Sequence, residues 1–348
     1  MKRSGVIPRR DLDWQAIAIL FLAAMLLLFD LGGRSLWWDE IINVYIERQS
    51  IRGIFASLSG KPGFYQDIHP PLYHLMMHAW ITLVSTSNLA MRLPSALFGL
   101  LSVALTYRVG HRLGGRSLAR SAAYLMAMSA GGLMYLRMGR YYAMTCALGL
   151  LSTWLFLRVW TLPRLSNWLL YSAVALAMYY TDYLVVTVLA THTLYALWSG
   201  WKHRRAIVVR LAIMQVVVGL LFTPWLPSMF AQVGWAGKVA QADLAFSPAG
   251  YLMKIVFPFL SFTAGETLFP WEIPAIASYA AFGLMLILGI TQNPLAREHF
   301  LLLLLLVSIP LLGTITVISI LLPTIPFIGV PNRTLFALPY FSMLAASG

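Results

Sequence analysis

Residues 71–84 read PLYHLMMHAWITLV, and whether they cross a membrane decides the topology of everything that follows them. The run is apolar, but it has only 14 residues with His74 and His78 inside it. A helix needs about 20 residues to cross a ~30 Å hydrocarbon core. If this run crossed, the cluster Arg108, Arg112, Arg116 and Arg120 would land on the face opposite the basic N-terminus, against the clustering of Lys and Arg on the cytoplasmic side. The segment is therefore read as an interfacial or re-entrant helix on the outer side. Residues 251–264, interrupted by Pro258 and carrying Lys254, are read as a second interfacial helix, because crossing there would put Arg297 outside.

Outward from that segment the chain reads as a polytopic membrane protein. Of its 348 residues 59% are hydrophobic and 11% charged, where soluble domains average about 45–50% and about 25%. Apolar stretches of spanning length occur near 14–31, 91–109, 118–136, 142–160, 167–181, 183–200, 207–225, 273–290, 299–321 and 334–348, about ten crossings in an all-α bundle. With the N-terminus in the cytoplasm, the five inner segments 1–13, 108–120, 158–166, 201–210 and 291–299 hold 15 of the 25 Lys and Arg residues. The other ten (Arg34, Arg48, Arg52, Lys61, Arg92, Arg137, Arg140, Lys238, Lys254 and Arg333) are spread along the longer outer and membrane-edge stretches. The formal charge of +13 is thus assigned to an anionic membrane surface, and nucleic acid is not an expected partner.

The first span follows Lys2, Arg3, Arg9 and Arg10, and no small-residue cleavage site precedes Gly32, so it is read as an uncleaved anchor. No internal repeat or linker is visible, and the chain is expected to be a single domain with 32–90 as a large outer loop. The last span is short at Gly348, so the natural chain is expected to continue or this helix to be incomplete. The single cysteine, Cys146, excludes an intrachain disulfide and a Cys-rich metal site.

The polar residues gather on the outer side. Arg34-Ser-Leu-Trp-Trp-Asp39-Glu40 places two adjacent carboxylates behind two tryptophans at the membrane surface. That pattern fits an aromatic belt with solvated charges, and it also fits a carboxylate whose proton affinity is raised by apolar walls so that it can act as a general base. In Asp67-Ile-His69-Pro70-Pro71-Leu72-Tyr73-His74 the paired prolines stiffen the helix entry and hold His69. His74 and His78, four residues apart, share a helix face as a metal pair would, or simply lie along a surface helix. Arg92, Arg137, Arg140 and Arg333 emerge on the same face, either snorkelling or converging on a lipid-borne phosphate that guanidinium groups can grip bidentately. Asp182, in the turn Tyr179-Tyr180-Thr181-Asp182-Tyr183, completes the set.

The order Trp-Trp-Asp39-Glu40, His69-Pro70-Pro71-Leu72-Tyr73, Arg92-Leu93-Pro94-Ser95 and Arg140-Tyr141-Tyr142-Ala143 resembles the bacterial members of glycosyltransferase family 39, relatives of the protein O-mannosyltransferases and lipid A aminoarabinose transferases, with the GT-C membrane fold. The resemblance covers roughly 14–200 and continues loosely to Arg333. It implies an inverting transfer of a monosaccharide from a polyprenyl-phosphate donor to the hydroxyl of a glycolipid, polysaccharide or protein, on the periplasmic face of the inner membrane. Asp39, with Glu40 beside it, would take the acceptor proton. Arg140, with Arg137, Arg333 and Arg92, would hold the departing phosphate. His69, His74, Tyr141, Asp67 and Asp182 would line the substrate pocket. The aminoarabinose branch carries acids where this chain has His69 and Arg140-Tyr141-Tyr142, so the resemblance leaves a divalent metal open without favouring it, and no metal ligand is assigned. A multispan transporter or lipid flippase is the alternative from another class, and a non-catalytic membrane subunit a third. The transporter reading expects repeated halves with matching broken spans, and none are visible.

Overall fold

The computed structural model describes residues 12–61, 63, 66–240, 247–322 and 325–348, with the backbone alone for 235–240. Lys2, Arg3, Arg9, Arg10 and the side chain of Lys238 lie outside the described residues. Every apolar stretch read from the sequence contains helix. The elements are α1 (Trp14–Leu28), α2 (Trp38–Glu47), α3 (Ile51–Leu58), α4 (Pro71–Leu83), α5 (Asn88–Met128), α6 (Ala130–Leu136), α7 (Tyr142–Thr161), α8 (Leu165–Tyr179), α9 (Val186–Gly200), α10 (Arg205–Phe222), α11 (Leu226–Ala240), α12 (Pro248–Ala264), α13 (Ile273–Thr291), α14 (Arg297–Leu321) and α15 (Leu338–Ala346). The protein is an all-helical, multi-pass membrane protein.

Five described helices are long and apolar enough to cross a bilayer: α5, α7, the run 205–234, α13 and α14. α1 and α8 are apolar but shorter. Burial sorts them by position. α7 has 78% of its most apolar window buried and forms the bundle centre, whereas α13 has 11% and presents Ile276, Leu284 and Ile287 outward. A helix apolar all round is stable at such a perimeter only against lipid.

Three boundaries differ from the sequence reading. The spans 91–109 and 118–136 are joined through Gly114 and Gly115, the latter at φ +80°, a conformation that a side chain would strain. The second of these spans breaks at Ser129, whose hydroxyl accepts from Gly132 N (3.0 Å) and donates to the Phe262 carbonyl (2.7 Å). That serine caps α6 and ties it to α12. The stretch 334–348 begins as a 3-10 turn, Asn332–Ala337, and only then becomes α15.

α6 and α12 touch through Gly131, where a Cβ would sit 2.3 Å from the Ser261 carbonyl oxygen. Gly131→Leu is expected to force these backbones apart and cost about 1–3 kcal/mol. The check is thermal unfolding in detergent, and an unchanged midpoint would refute the close approach.

The basic segments meet at one end of the bundle. Asp13 caps α1 and accepts from Tyr107 (2.5 Å) and Arg120 (3.1 Å), one on each side of the Gly-Gly break. Arg112 reaches Thr161 (2.9 Å), His299 bonds the Leu113 carbonyl (2.8 Å), and Arg204 bonds the Trp160 carbonyl (2.5 Å). The opposite end is closed by α2, α3 and α4. There Ile46, Ile54 and Leu58 make a second small core with Phe222 and Trp225 at the end of α10.

Candidate active site

Local sequence explains how that end is built. Pro94 lies inside α5, so it cannot donate to the carbonyl of Ala90, and the Trp80 indole N–H takes that carbonyl instead (2.8 Å). α4 is thereby pinned to α5. Ser95, the next residue, donates to the Arg140 carbonyl (3.1 Å) and fixes the turn before α7. Pro70 and Pro71 start α4 with no N–H to satisfy. The first free amide, Leu72 N, bonds the Tyr180 carbonyl (2.8 Å) and brings in the α8–α9 turn that carries Asp182.

Glu40 and Arg92 belong to the frame. The Glu40 carboxylate is fully buried and accepts four hydrogen bonds: from Arg92 Nε (2.8 Å) and Gly139 N (2.7 Å) at Oε1, and from Arg92 Nη2 (2.6 Å) and Trp37 N (2.8 Å) at Oε2. Burial pushes this carboxyl up, but Arg92 and the two backbone amides outweigh it and hold it below the usual glutamate range. Arg92 gives its remaining donors to the carbonyls of Leu31 (3.2 Å), Arg34 (2.8 Å) and Ser35 (2.8 Å). A guanidinium has five N–H donors, and all are used. Arg92, expected among the phosphate-binding arginines, therefore has none to offer, and Glu40, expected beside Asp39 in catalysis, is occupied. Arg137 is half-buried and turned to the Phe29 carbonyl at the end of α1.

The remaining expected residues do come together. Arg140 is buried, and its Nη1 faces the Asp39 backbone carbonyl (3.3 Å), Asn43 Oδ1 (2.5 Å) and Asp67 Oδ2 (3.1 Å). Its Nε is buried with no partner. Asp67 also bonds His69 Nδ1, and the His69 ring packs against Tyr141 at a tilt of 38°, with centroids 4.1 Å apart. Burial tends to lift Asp67, but His69 and Arg140 hold it well below the usual range; burial lowers His69, against the pull of Asp67. The Tyr141 hydroxyl is buried without a partner. Burial pushes Asp182 up to about 7, against the pull of the Leu184 amide (3.0 Å) and the charge of Arg333. Arg333 is half-buried, bonds the Gly329 carbonyl (2.5 Å) and Asn332 (3.2 Å), and has no carboxylate partner among the described residues. Asp39, on the first turn of α2, is half-buried, and its carboxylate has no hydrogen-bond or ion-pair partner among the described residues.

Two residues outside the sequence-level site complete the cluster, Asn43 and Glu47, both fully buried. With Glu40 they form a polar stripe at positions i, i+3 and i+7 of α2. That helical spacing of polar residues was the available signal, and it goes unread while 32–90 is treated as loop. His74 lies between Glu47 (3.4 Å) and Asp67 (3.8 Å), while His78 turns to the Glu47 backbone carbonyl (2.7 Å). The two histidines do not form a metal pair.

A divalent ion does not fit this donor set. The Asp67 oxygens are taken by His69 and Arg140. Among the described residues no group of three or more His, Cys, Asp or Glu side chains is arranged to hold a metal.

Residues 68–227 match the family model of the dolichyl-phosphate-mannose-protein mannosyltransferases, a stretch that includes the His-Pro-Pro, Arg-Leu-Pro-Ser and Arg-Tyr-Tyr-Ala motifs. In three dimensions 95% of the chain superposes on ArnT from Cupriavidus metallidurans bound to undecaprenyl phosphate, with a TM-score of 0.61 at 15% identity. The chain has the GT-C glycosyltransferase fold. It spans 59% of that ArnT chain. The oligosaccharyltransferase of Archaeoglobus fulgidus in its apo form is similar over 96% of this chain and 50% of its own, with a TM-score of 0.57 at 11% identity. The arabinosyltransferase EmbB of Mycobacterium smegmatis is similar over 100% and 31%, with a TM-score of 0.56 at 15% identity. A comparison with curated proteins gives no match. The fold and family resemblance read from the four motifs is thus borne out, with Asp39 and Glu40 preceding the matched stretch.

Proposed function

We propose that this GT-C protein is an inverting glycosyltransferase that moves a monosaccharide from a polyprenyl phosphate to an acceptor hydroxyl. The observation that carries the reading is the pairing of an uncommitted carboxylate, Asp39, with a buried guanidinium, Arg140, that has an unused Nε–H. An inverting displacement at the anomeric carbon needs one base to take the acceptor proton and a cation to stabilise the departing phosphate. Asp39 supplies the first. Arg140 supplies the second with its Nε edge, its Nη1 being anchored by Asn43 and Asp67. Arg333 adds a second positive charge beside Asp182 and Tyr141. His69, packed at a tilt against Tyr141, shapes the wall against which the sugar or acceptor lies. Glu40 and Arg92 hold α2 against α5 and take no part in the chemistry.

The family model and the ArnT-like fold support a lipid-linked donor. The basic segments gather at the end of the bundle away from Asp39 and Arg140, which supports an N-terminus in the cytoplasm and an active site on the periplasmic side of the inner membrane.

The test is incubation of purified protein in lipid with a panel of radiolabelled polyprenyl-phosphate sugars and an envelope extract. Transfer of label with release of polyprenyl phosphate is expected for one donor. Folded protein that turns over none of them sinks the reading. Arg140→Ala is expected to weaken donor binding at least about tenfold, because a charged donor to the phosphate is lost and Asp67 is left half-paired. A donor KM unchanged in that variant would move the phosphate elsewhere.

A further inference from the structure

Glu47 is fully buried on the last turn of α2, and neither of its carboxylate oxygens has a hydrogen-bond partner. The Nδ1 atom of buried His74, 3.4 Å from Glu47 Oε1, is unpartnered as well. On its other side His74 Nε2 faces Asp67 Oδ2 at 3.8 Å, and Asp67 Oδ2 holds Arg140 Nη1 at 3.1 Å. Four side chains from α2, α4, the preceding loop and the turn before α7 therefore form a line that ends on the proposed phosphate-binding group. A carboxylate cannot remain buried, charged and without a donor, and His74 is the donor within reach.

We propose that Glu47 and His74 are positioning residues that share one proton and through it set Asp67, and hence Arg140, for the lipid phosphate. The inference rests on the glycosyltransferase reading and names residues that act on its phosphate site. While the proton is present, either Glu47 donates to Nδ1 or the imidazole is doubly protonated. In both cases His74 presents Nε2–H to Asp67. When it leaves, the remaining ring proton is drawn to Nδ1 by the Glu47 carboxylate, and Nε2 turns a lone pair toward the Asp67 carboxylate. An attraction becomes a repulsion, and the anchor of Arg140 loosens.

Burial pushes the Glu47 carboxyl up to about 7, with His74 and Arg140 pulling the other way, which puts the event in the neutral range. Other titratable groups face the pair. On α2 these are Asp39 and the Arg92-bound Glu40; before and on α4, Asp67, His69, Tyr73 and His78; at the turn before α7, Arg140 and Tyr141. Asp182 and Arg333 act on Tyr141.

The experiment measures undecaprenyl phosphate affinity of the full chain in lipid nanodiscs from about pH 6.5 to about pH 8.5, together with sugar transfer. Wild-type affinity is expected to fall about tenfold across that range, since one proton is linked to binding. Glu47→Gln keeps a donor toward Nδ1 and so fixes Nε2–H on Asp67. Its affinity should match wild type at the acidic end and lose the pH slope. His74→Phe should be about tenfold weaker than wild type at the acidic end and show no pH slope; if that variant does not fold, Glu47→Gln alone decides. A Glu47→Gln slope equal to wild type overturns the inference and leaves the proposed function standing. Wild-type protein that binds the lipid phosphate with this slope but transfers no sugar supports the inference and overturns the function. Wild type that binds no lipid phosphate overturns both.

Discussion

Replacing Asp39 by asparagine is expected to lower kcat for sugar transfer by at least about a thousandfold, within the range that removal of a general base produces, while donor affinity stays within about threefold of wild type. The expectation comes from how the acids of this site are used. Glu40 accepts four hydrogen bonds, Asp67 is paired with His69 and Arg140, and Glu47 is sealed against His74. Asp39 alone among these is partly exposed, on the first turn of α2, with its carboxylate uncommitted. Asparagine keeps the shape and the Arg140 bond to the residue 39 carbonyl, so binding should survive where proton transfer does not. Asp182 is the rival base, since burial lifts its carboxyl to about 7, near the pH at which a base works best. Asp182→Asn, assayed beside Asp39→Asn, separates them. If the large loss in kcat follows residue 182, the base has been misassigned.

The second large effect concerns stability. Arg92→Ala leaves Glu40 buried beside two backbone amides with its counter-charge gone, and breaking a buried pair from one side costs about 3–5 kcal/mol. Three carbonyls, those of Leu31, Arg34 and Ser35, lose their donors in the same step. The apparent melting temperature in detergent should fall by roughly 5 °C or more. The double variant Glu40→Gln with Arg92→Met should be less damaged than Arg92→Met alone, because the unpaired charge is removed. Molecules that remain folded should retain donor affinity, which separates a framework role from a phosphate-binding one. The pH dependence has a definite sign. Because Glu40 is held below its unfolded value, its contribution is present above the ordinary glutamate range and is lost as pH falls through its lowered folded value. Acid should therefore narrow the gap between wild type and the double variant.

What could be read in the sequence and what could not divide along physical lines. A bilayer imposes one rule on every spanning segment, about 20 apolar residues with internally satisfied backbone, so the helices of the bundle and the non-spanning helix at 71–84 are legible from composition and length. The break at Ser129 is not, because the gain there comes from the Phe262 carbonyl, 133 residues away in the chain. Motif order likewise picks out Asp39, His69, Arg140 and Tyr141 as one neighbourhood. It cannot say which arginine faces substrate. Arg92 and Arg140 look alike as isolated residues at helix ends, and their difference lies in the partners that folding brings to them: Glu40 and three carbonyls exhaust the donors of one, while Asn43 and Asp67 anchor the other by a single nitrogen and leave Nε unused. Glu47 is the extreme case, an ordinary acid in the sequence whose character comes entirely from burial against His74. The sequence by itself thus determined the solvent each segment must face, since hydropathy is a local property. Which charges are spent on structure and which remain for chemistry was decided by the tertiary structure alone, because a charge is satisfied or left free by neighbours that are close in space and distant along the chain.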